Sequence, residues 1–514
     1  MSTTPTNALR LIVILGDQLW MDNPALLAAD VTRDVVVMVE CTGEAALVPS
    51  HKARIALFFS AMRHFAQTLK RTGWNLQYFR IGQHAHAQIA DALTEVVRAL
   101  KPVSIMVCEP GEWRLEQALH EVAHATETSL KIFPDTSFYL TRSDFANWAK
   151  QQTSLRMERF YRFIRAHTGV LISEGLPLGG QWSYAHERPS GEIPGRVPQP
   201  TLLSYDETTW HTLIDVRRHF ADHPGELEEF PWAVTREQAL TVLEDFVANR
   251  LPSFDKYRDV MRANEPFLYH SQLASALNLR LLDPREVVRA VERALENGDI
   301  PLATAENFVR QIVGWREFTR GVYWLEMPSL ASANHFKHTL QLPRWFWTGD
   351  TEMRCMKQAV TQTIQHGYAY HIQRLMVIGN FALMANIEPQ QVSDWFLAMY
   401  VDAVEWAQLP NVMGMALYTN GGRFTSKPYV APGTQIKSMS NYCEGCRYKP
   451  SIKSGPDACP FTTFFWHFLD NNQALLNANT RTAEMVKNLD RLSKEERAAI
   501  RHDAIRKLGR LDKL

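Results

Sequence analysis

The sequence predicts an α/β amino-terminal domain, a Rossmann-like parallel sheet, joined by a long linker to a large all-helical domain. Three observations carry that reading. Strand-like and helix-like patterns alternate over the first 135 residues. Proline and glycine crowd the stretch from Ser173 to Thr201, and beyond it apolar residues recur at helical spacing with no convincing strand. The corresponding divisions are residues 1–135, a connecting segment and linker over 136–210, and a helical domain over 211–514.

Apolar runs at Leu9–Leu15, Asp34–Glu40, Asn75–Ile81, Val103–Glu109 and Leu130–Asp135 predict the strands. Between them, helices are predicted over His51–Arg71, closed by Gly73, over Ala85–Leu100, closed by Lys101-Pro102, and over Glu112–Thr126. Such alternation makes a parallel sheet whose ligands sit at the carboxyl ends of its strands, which puts Gly16-Asp17 and Glu40–Glu44 on one rim. No G-x-G-x-x-G is present, so a nicotinamide fingerprint is absent. The linker holds five prolines and five glycines. Helical spacing then covers Thr235–Asn249, Arg285–Asn297, Ala303–Arg320, Met353–His366, His371–Asn386 and Pro389–Trp406.

Composition narrows the function. The 514 residues carry 55 bases and 55 acids, so bulk electrostatics cannot coat nucleic acid, and any polyanion must meet a local patch. At 46% hydrophobic and 21% charged the chain is ordinary globular protein. No apolar run reaches the roughly 20 residues of a membrane span, and no secretory leader is evident. A cytoplasmic enzyme is expected, acting as a monomer and without a membrane partner.

Six cysteines make no secreted disulfide framework. Cys41 and Cys108 fall in apolar stretches and read as buried hydrophobes. Cys443-x-x-Cys446 is followed by twelve residues and then Cys459-Pro460, and 87 residues separate Cys355 from Cys443. A two-residue turn brings paired thiolates onto one metal centre. The single C-x-x-C pair and the Cys-Pro ending leave zinc and an iron–sulfur cluster about equally supported on spacing alone.

Other motifs look bland one at a time. Gln311-x-x-x-Trp315-Arg316-Glu317-Phe318 reads as an amphipathic helix, and His371-x-x-Arg374 as a helix with a structural histidine. His270-Ser271-Gln272-Leu273-Ala274-Ser275 reads as a helix start capped by Ser271, which is also a natural seat for a phosphate. Their order and separation, with the four cysteines and the "WAQLPNVMGMALY" segment, resemble the photolyase/cryptochrome flavoprotein family across nearly the whole chain. Within it the chain is similar to the bacterial iron–sulfur branch, which includes (6-4) photolyases.

The resemblance implies FAD in the helical domain. His270, Ser271, Leu273 and Ser275 match positions around its phosphates, and Gln311, Trp315 and Arg316 a second contacting helix. Arg374 and Asn380 match positions beside the isoalloxazine, and Glu405 and Asn411 those near its ribityl and N5 edge. It implies that His371 is the active-site histidine, with a near-neutral pKa suited to proton exchange with the lesion. Many members carry a second histidine just before it, where this chain has Tyr370. Tyr429 matches a lesion-pocket residue. Trp347 and Trp395 match electron-relay positions among the 14 tryptophans, with Tyr400 as an extension.

The resemblance also assigns Cys355, Cys443, Cys446 and Cys459 to a [4Fe-4S] cluster. It assigns Asp17, Glu44 and Ile55 to a 6,7-dimethyl-8-ribityllumazine antenna. The implied partner is UV-damaged DNA with a flipped pyrimidine lesion. Residues 419–460 hold six bases (Arg423, Lys427, Lys437, Arg447, Lys449, Lys453) against two acids, interleaved with Tyr429, Tyr442 and Tyr448, which suits phosphate contact and stacking. Residues 471–514 hold ten bases and six acids, in a tail that reads equally as a packed cap. The implied activity is light-driven repair of (6-4) photoproducts. A blue-light receptor of the same fold, without repair, is the alternative, and a zinc-stabilised nucleic-acid binder without flavin is a more distant one.

Overall fold

The computed structural model describes residues 8–43, 48–184 and 197–514. Its first layer is a five-stranded parallel sheet of β1 (Arg10–Val13), β2 (Val35–Val39), β3 (Asn75–Phe79), β4 (Ser104–Cys108) and β5 (Ser129–Phe133), in the order β3-β2-β1-β4-β5. Each observed strand lies inside or within a residue of its predicted run. Leu11, Ile12 and Val13 pair with β2 on one side and with β4 on the other, so β1 is central and fully buried. Strand order reverses at β1/β4, where a crevice opens beyond the carboxyl ends.

Helix α1 (Lys52–Arg71) covers one face of the sheet, and α2 (Ile89–Leu100) and α3 (Trp113–Ala125) the other. The α1 face merges into the core of the helical domain, while the opposite face closes on a small cluster of its own. His51 caps α1 and joins the two domains. Its Nδ1 accepts from Ala53 N (3.0 Å), its Nε2 faces the Ile364 carbonyl (2.8 Å), and its own N–H donates to Ala398 O (2.8 Å).

Three predicted elements differ. The linker contains a short antiparallel hairpin, Ile172–Ser173 with Leu176–Pro177, turned by Glu174 and Gly175 in the left-handed region. Linker residues 185–196 lie outside the described residues. The single helix expected over Pro389–Trp406 breaks after Met399, because Tyr400 turns extended and Val401 N bonds to Gly367 O (2.9 Å); a new helix starts at Glu405. The helix expected to start under Ser271 runs only Ala274–Asn278 and has no side-chain cap. Among the described residues no strand follows the hairpin, and no helix is long and apolar enough to cross a membrane.

Candidate active site

Four segments of the described helical domain are π-helical: Phe246–Arg250, Arg310–Arg316, Gln373–Gly379 and Pro410–Ala416. Such turns are rare and gather at functional sites. Three of the four carry residues singled out from the sequence, namely Gln311, Trp315 and Arg316, then Arg374, then Asn411. Each extra residue in a turn rotates the following face, so neighbours such as Trp315 and Arg316 serve different surroundings.

Arg374 is the best anchored of them. Its guanidinium meets Asp402 in a two-pronged ion pair (2.9 and 3.1 Å), donates from Nε to Ala369 O (2.6 Å), and lies 3.7 Å over the Tyr400 ring. Burial disfavours its charge, yet Asp402 outweighs burial and raises the pKa. Asp402 sits in the Tyr400–Val404 break, which explains why the helix must open there. Sequence reasoning missed it, because its only signal was an acid 28 residues beyond Arg374.

His371 lies one turn before Arg374 at the protein surface, its ring set among the surrounding side chains. The surrounding protein, and then the Arg374 charge, lower its pKa from the ordinary value to about 4. With its pKa held below the ordinary value, the ring is neutral at pH 7 and can accept a proton. Tyr370 stacks on His270, with centroids 3.5 Å apart.

The His270 loop is held by buried Arg250, whose Nη1 donates to His270 O (2.8 Å) and Gln272 Oε1 (3.1 Å), and Gln272 adopts a left-handed φ of 59°. Ser271 Oγ only accepts from Leu273 N (3.4 Å), and Leu273 and Ser275 are buried. Both His270 ring nitrogens, Gln272 Nε2 and Arg250 Nε are buried without hydrogen-bond partners, as are Arg316 Nε and Nη2. Buried polar groups in this number, most of them donors, call for partners.

Arg316 and Trp315 part company. Arg316 is buried over Phe138 (3.9 Å), in a cluster with Glu317 and Arg280, and burial lowers its pKa to about 10. Trp315 instead lines a small pocket with Arg156, Met157, Glu158, Thr425 and Tyr429. Gln311 is exposed and donates to Asn307 O (3.2 Å). Asn380 is fully buried and spends its amide on both the N–H (3.1 Å) and carbonyl (3.0 Å) of Ala431, so it fixes the loop behind Tyr429. Asn411 donates to Ala407 O (2.6 Å).

Glu405 lies elsewhere. It lines a cavity of about 380 Å³ between the sheet and the helical domain, together with Asp17, Ile55, Arg54, Asp394 and Gly111. Its carboxylate accepts from Tyr323 OH (2.6 Å), and that oxygen accepts from Trp113 N (2.7 Å). Glu405 opens the helical run Glu405–Ala416, which carries Asn411 six residues further on. Asp17 pairs with buried Arg280 (3.5 Å), and burial raises its pKa. A Cβ at Gly111 would lie 2.4 Å from Asp17 Oδ2, so only glycine leaves room there. Glu44 lies outside the described residues.

Cys355, Cys443, Cys446 and Cys459 converge on one cavity, walled by Tyr442, Tyr448 and Gly433. A Cβ at Gly433 would lie 2.7 Å from Cys459 Sγ. Among the described residues no three His, Cys, Asp or Glu side chains stand close enough to hold a single metal ion. Tyr442 and Tyr448 are buried here, which corrects their expected stacking role. The basic stretch is also partly answered: Arg423 pairs with Glu326 (2.8 Å), Arg447 with Glu352, and Lys453 with Glu496 (3.3 Å). The tail packs as a cap, with Arg497 and Arg501 on Asp470 and Leu511 O accepting from Trp345 Nε1 (2.9 Å).

Aromatic rings run outward from Arg374. Tyr400 and Trp395 meet at 5.8 Å, Trp395 and Phe346 at 5.3 Å, and Trp395 Nε1 donates to Phe346 O (3.1 Å). Trp347, the next residue, is 36% exposed, whereas Trp395 is fully buried.

Comparison with known proteins adds three findings. Residues 12–232 match the family model described as deoxyribodipyrimidine photo-lyase-related protein. A (6-4) photolyase of Agrobacterium fabrum is 42% identical over 508 residues, covering 98% of this chain and 100% of the relative. The crystal structure of a bacterial class III photolyase from Agrobacterium tumefaciens superposes with a TM-score of 0.55 at 16% identity, over 99% of this chain and 93% of the other, which bears on the fold alone.

Proposed function

This chain belongs to the photolyase family, and from that membership we propose that it is a light-driven DNA repair enzyme acting on (6-4) pyrimidine–pyrimidone photoproducts. The observation that carries the reading is full-length similarity to a (6-4) photolyase; the π-helical site supports it from the geometry.

The buried, partnerless donors of His270, Gln272 and Arg250 suit the phosphates and ring edges of FAD, with Ser271, Leu273 and Ser275 shaping the same loop. Gln311 and Arg316 belong to the same proposed flavin set, as does Asn411. Bound FAD would supply the light-excited electron that splits the lesion. The chain's own residues do the rest. Arg374, fixed by Asp402 and Tyr400, presents a constant positive charge beside the site. Neutral His371 takes and returns a proton at a ring nitrogen as a group moves between the two bases. Tyr429 and Trp315 wall the pocket for the flipped lesion, and Asn380 keeps the Tyr429 loop in place. Trp395 and Trp347, with Tyr400, form the path by which electrons reach the site from the surface.

Two further groups belong to this reading. The shared cavity of the four cysteines, kept open by Gly433, fits a [4Fe-4S] cluster. The interdomain cavity, with Asp17 and Ile55 on its wall and Glu405 as an added carboxylate, fits a ribityllumazine antenna. The test is illumination of a duplex that holds one (6-4) lesion. Light-dependent restoration of the two pyrimidines is expected, and no change in the light would overturn the reading.

A further inference from the structure

Half of the bases counted over residues 419–460 are paired with acids from other elements, so that loop is a weaker polyanion surface in space than in sequence. A second set of cations lies beside the Trp315–Tyr429 pocket, whose lining includes Arg156. The helix Met157–Thr168 supplies Arg159 and Arg162, and Arg156 stands just before it; residues three apart share a side. Arg156 Nη1 donates to Leu155 O (2.8 Å), Gly422 O (3.3 Å) and Arg423 O (3.4 Å), which ties this helix to the Arg423 loop. Arg481 opens the helix Thr480–Val486 behind its Asn479 cap, and Tyr418 lies between Asn479 and Arg156.

Arg159, Arg162 and Arg481 are exposed, and among the described residues no carboxylate pairs with any of them. Burial and the charges of Arg481 and Arg159 push the Arg156 pKa down, against a smaller opposing pull from Tyr418 and Glu158, as expected where cations outnumber acids. The acid of this helix, Glu158, lines the pocket, where a base rather than a phosphate would sit. Unpaired cations at the rim of a pocket that holds Trp315 and Tyr429 complement a phosphate backbone that delivers a base to that pocket.

We propose that Arg159, Arg162 and Arg481 form a second phosphate-binding edge, which grips the DNA backbone along the pocket wall built by the Met157–Thr168 helix. This rests on the repair reading. The edge adds to the bases of the Lys427 loop, and it brings the carboxyl-terminal cap into the DNA footprint through Arg481.

The test uses the full, cofactor-loaded chain and a labelled duplex with one (6-4) lesion, with affinity measured across a salt series. The triple variant Arg159→Ala, Arg162→Ala, Arg481→Ala is expected to bind more weakly. Its log–log salt dependence should flatten by about 0.9 per lost phosphate contact, so by about 2 to 3 in all. The triple lysine variant should keep most of the slope, and both should repair at the wild-type rate on saturating DNA. Wild-type affinity and slope in the alanine variant, with wild-type protein repairing normally, overturn the edge and leave the repair reading intact. A slowed rate at saturation also overturns it, because the residues would then act in the chemistry. Wild-type protein that neither binds nor repairs the lesion overturns both.

Discussion

The rings of His270 and Tyr370 lie face to face, their centroids 3.5 Å apart and their planes within 10° of parallel. Tyr370 directly precedes His371, and its ring closes one side of the His270 loop instead of adding a titratable base to the site. An aromatic pair of this kind is worth about 1 kcal/mol beyond its burial. Tyr370→Phe is expected to retain flavin as the wild type does, whereas Tyr370→Ala should lose it about fivefold more readily, read as flavin released on dilution. Equal retention in both variants would show that the stack does not support the loop.

The Arg374–Asp402 pair makes a second prediction. Asp402→Asn keeps the size of the side chain and removes the charge that fixes Arg374 beneath the site. Breaking a largely buried ion pair from one side costs on the order of 3 kcal/mol. Repair in single turnover is expected to fall at least tenfold while the protein stays folded. A wild-type rate would mean that Arg374 needs no partner to hold its place.

Acid should loosen the join between the domains. Burial, chiefly, lowers the His51 pKa to about 4, so the folded chain binds this ring's proton less readily than the unfolded one. Its stabilising contribution is complete above about pH 6.5 and is lost as pH falls from there towards 4, to a total on the order of 3 kcal/mol. Protonated Nδ1 could no longer accept from Ala53 N. His51→Gln is expected to be less stable at neutral pH and to show a flatter acid limb in thermal unfolding. An acid limb as steep as wild type would place the titrating group elsewhere.

Gly433→Ala tests the cysteine cavity without removing a ligand. The added methyl would press on Cys459 Sγ, and iron content per chain is expected to fall well below about four, with loss of brown colour. Full iron occupancy in this variant would contradict the packing described.

Much of this was legible in the sequence, and the reason is local. The central strands announce themselves by unbroken apolar runs such as Val35–Val39, and four cysteines have few ways to be useful except together. What was illegible depends on three-dimensional company. A π turn leaves no compositional mark, so nothing told Trp315 and Arg316 apart until their surroundings were seen. Asp402 matters because a chain break aims it at Arg374, and Asn380 proves to be a backbone clamp because Ala431 comes to it from 51 residues away. Tyr442 and Tyr448 looked like stacking platforms by their basic neighbours, but the cavity between the cysteines needed walls. Glu405 lies six residues before Asn411, yet it is Glu405 that lines the cavity between the sheet and the helical domain.

The central claim is that this site reverses (6-4) lesions with His371 as its proton carrier. The most direct measurement is single-turnover repair under blue light on two duplexes, one with a (6-4) photoproduct and one with a cyclobutane dimer, by wild type and by His371→Ala loaded with equal flavin. The account predicts that wild type repairs the (6-4) duplex and spares the other, and that His371→Ala repairs neither. Repair of the (6-4) lesion by His371→Ala at the wild-type rate, or repair by wild type of the cyclobutane dimer alone, would contradict it.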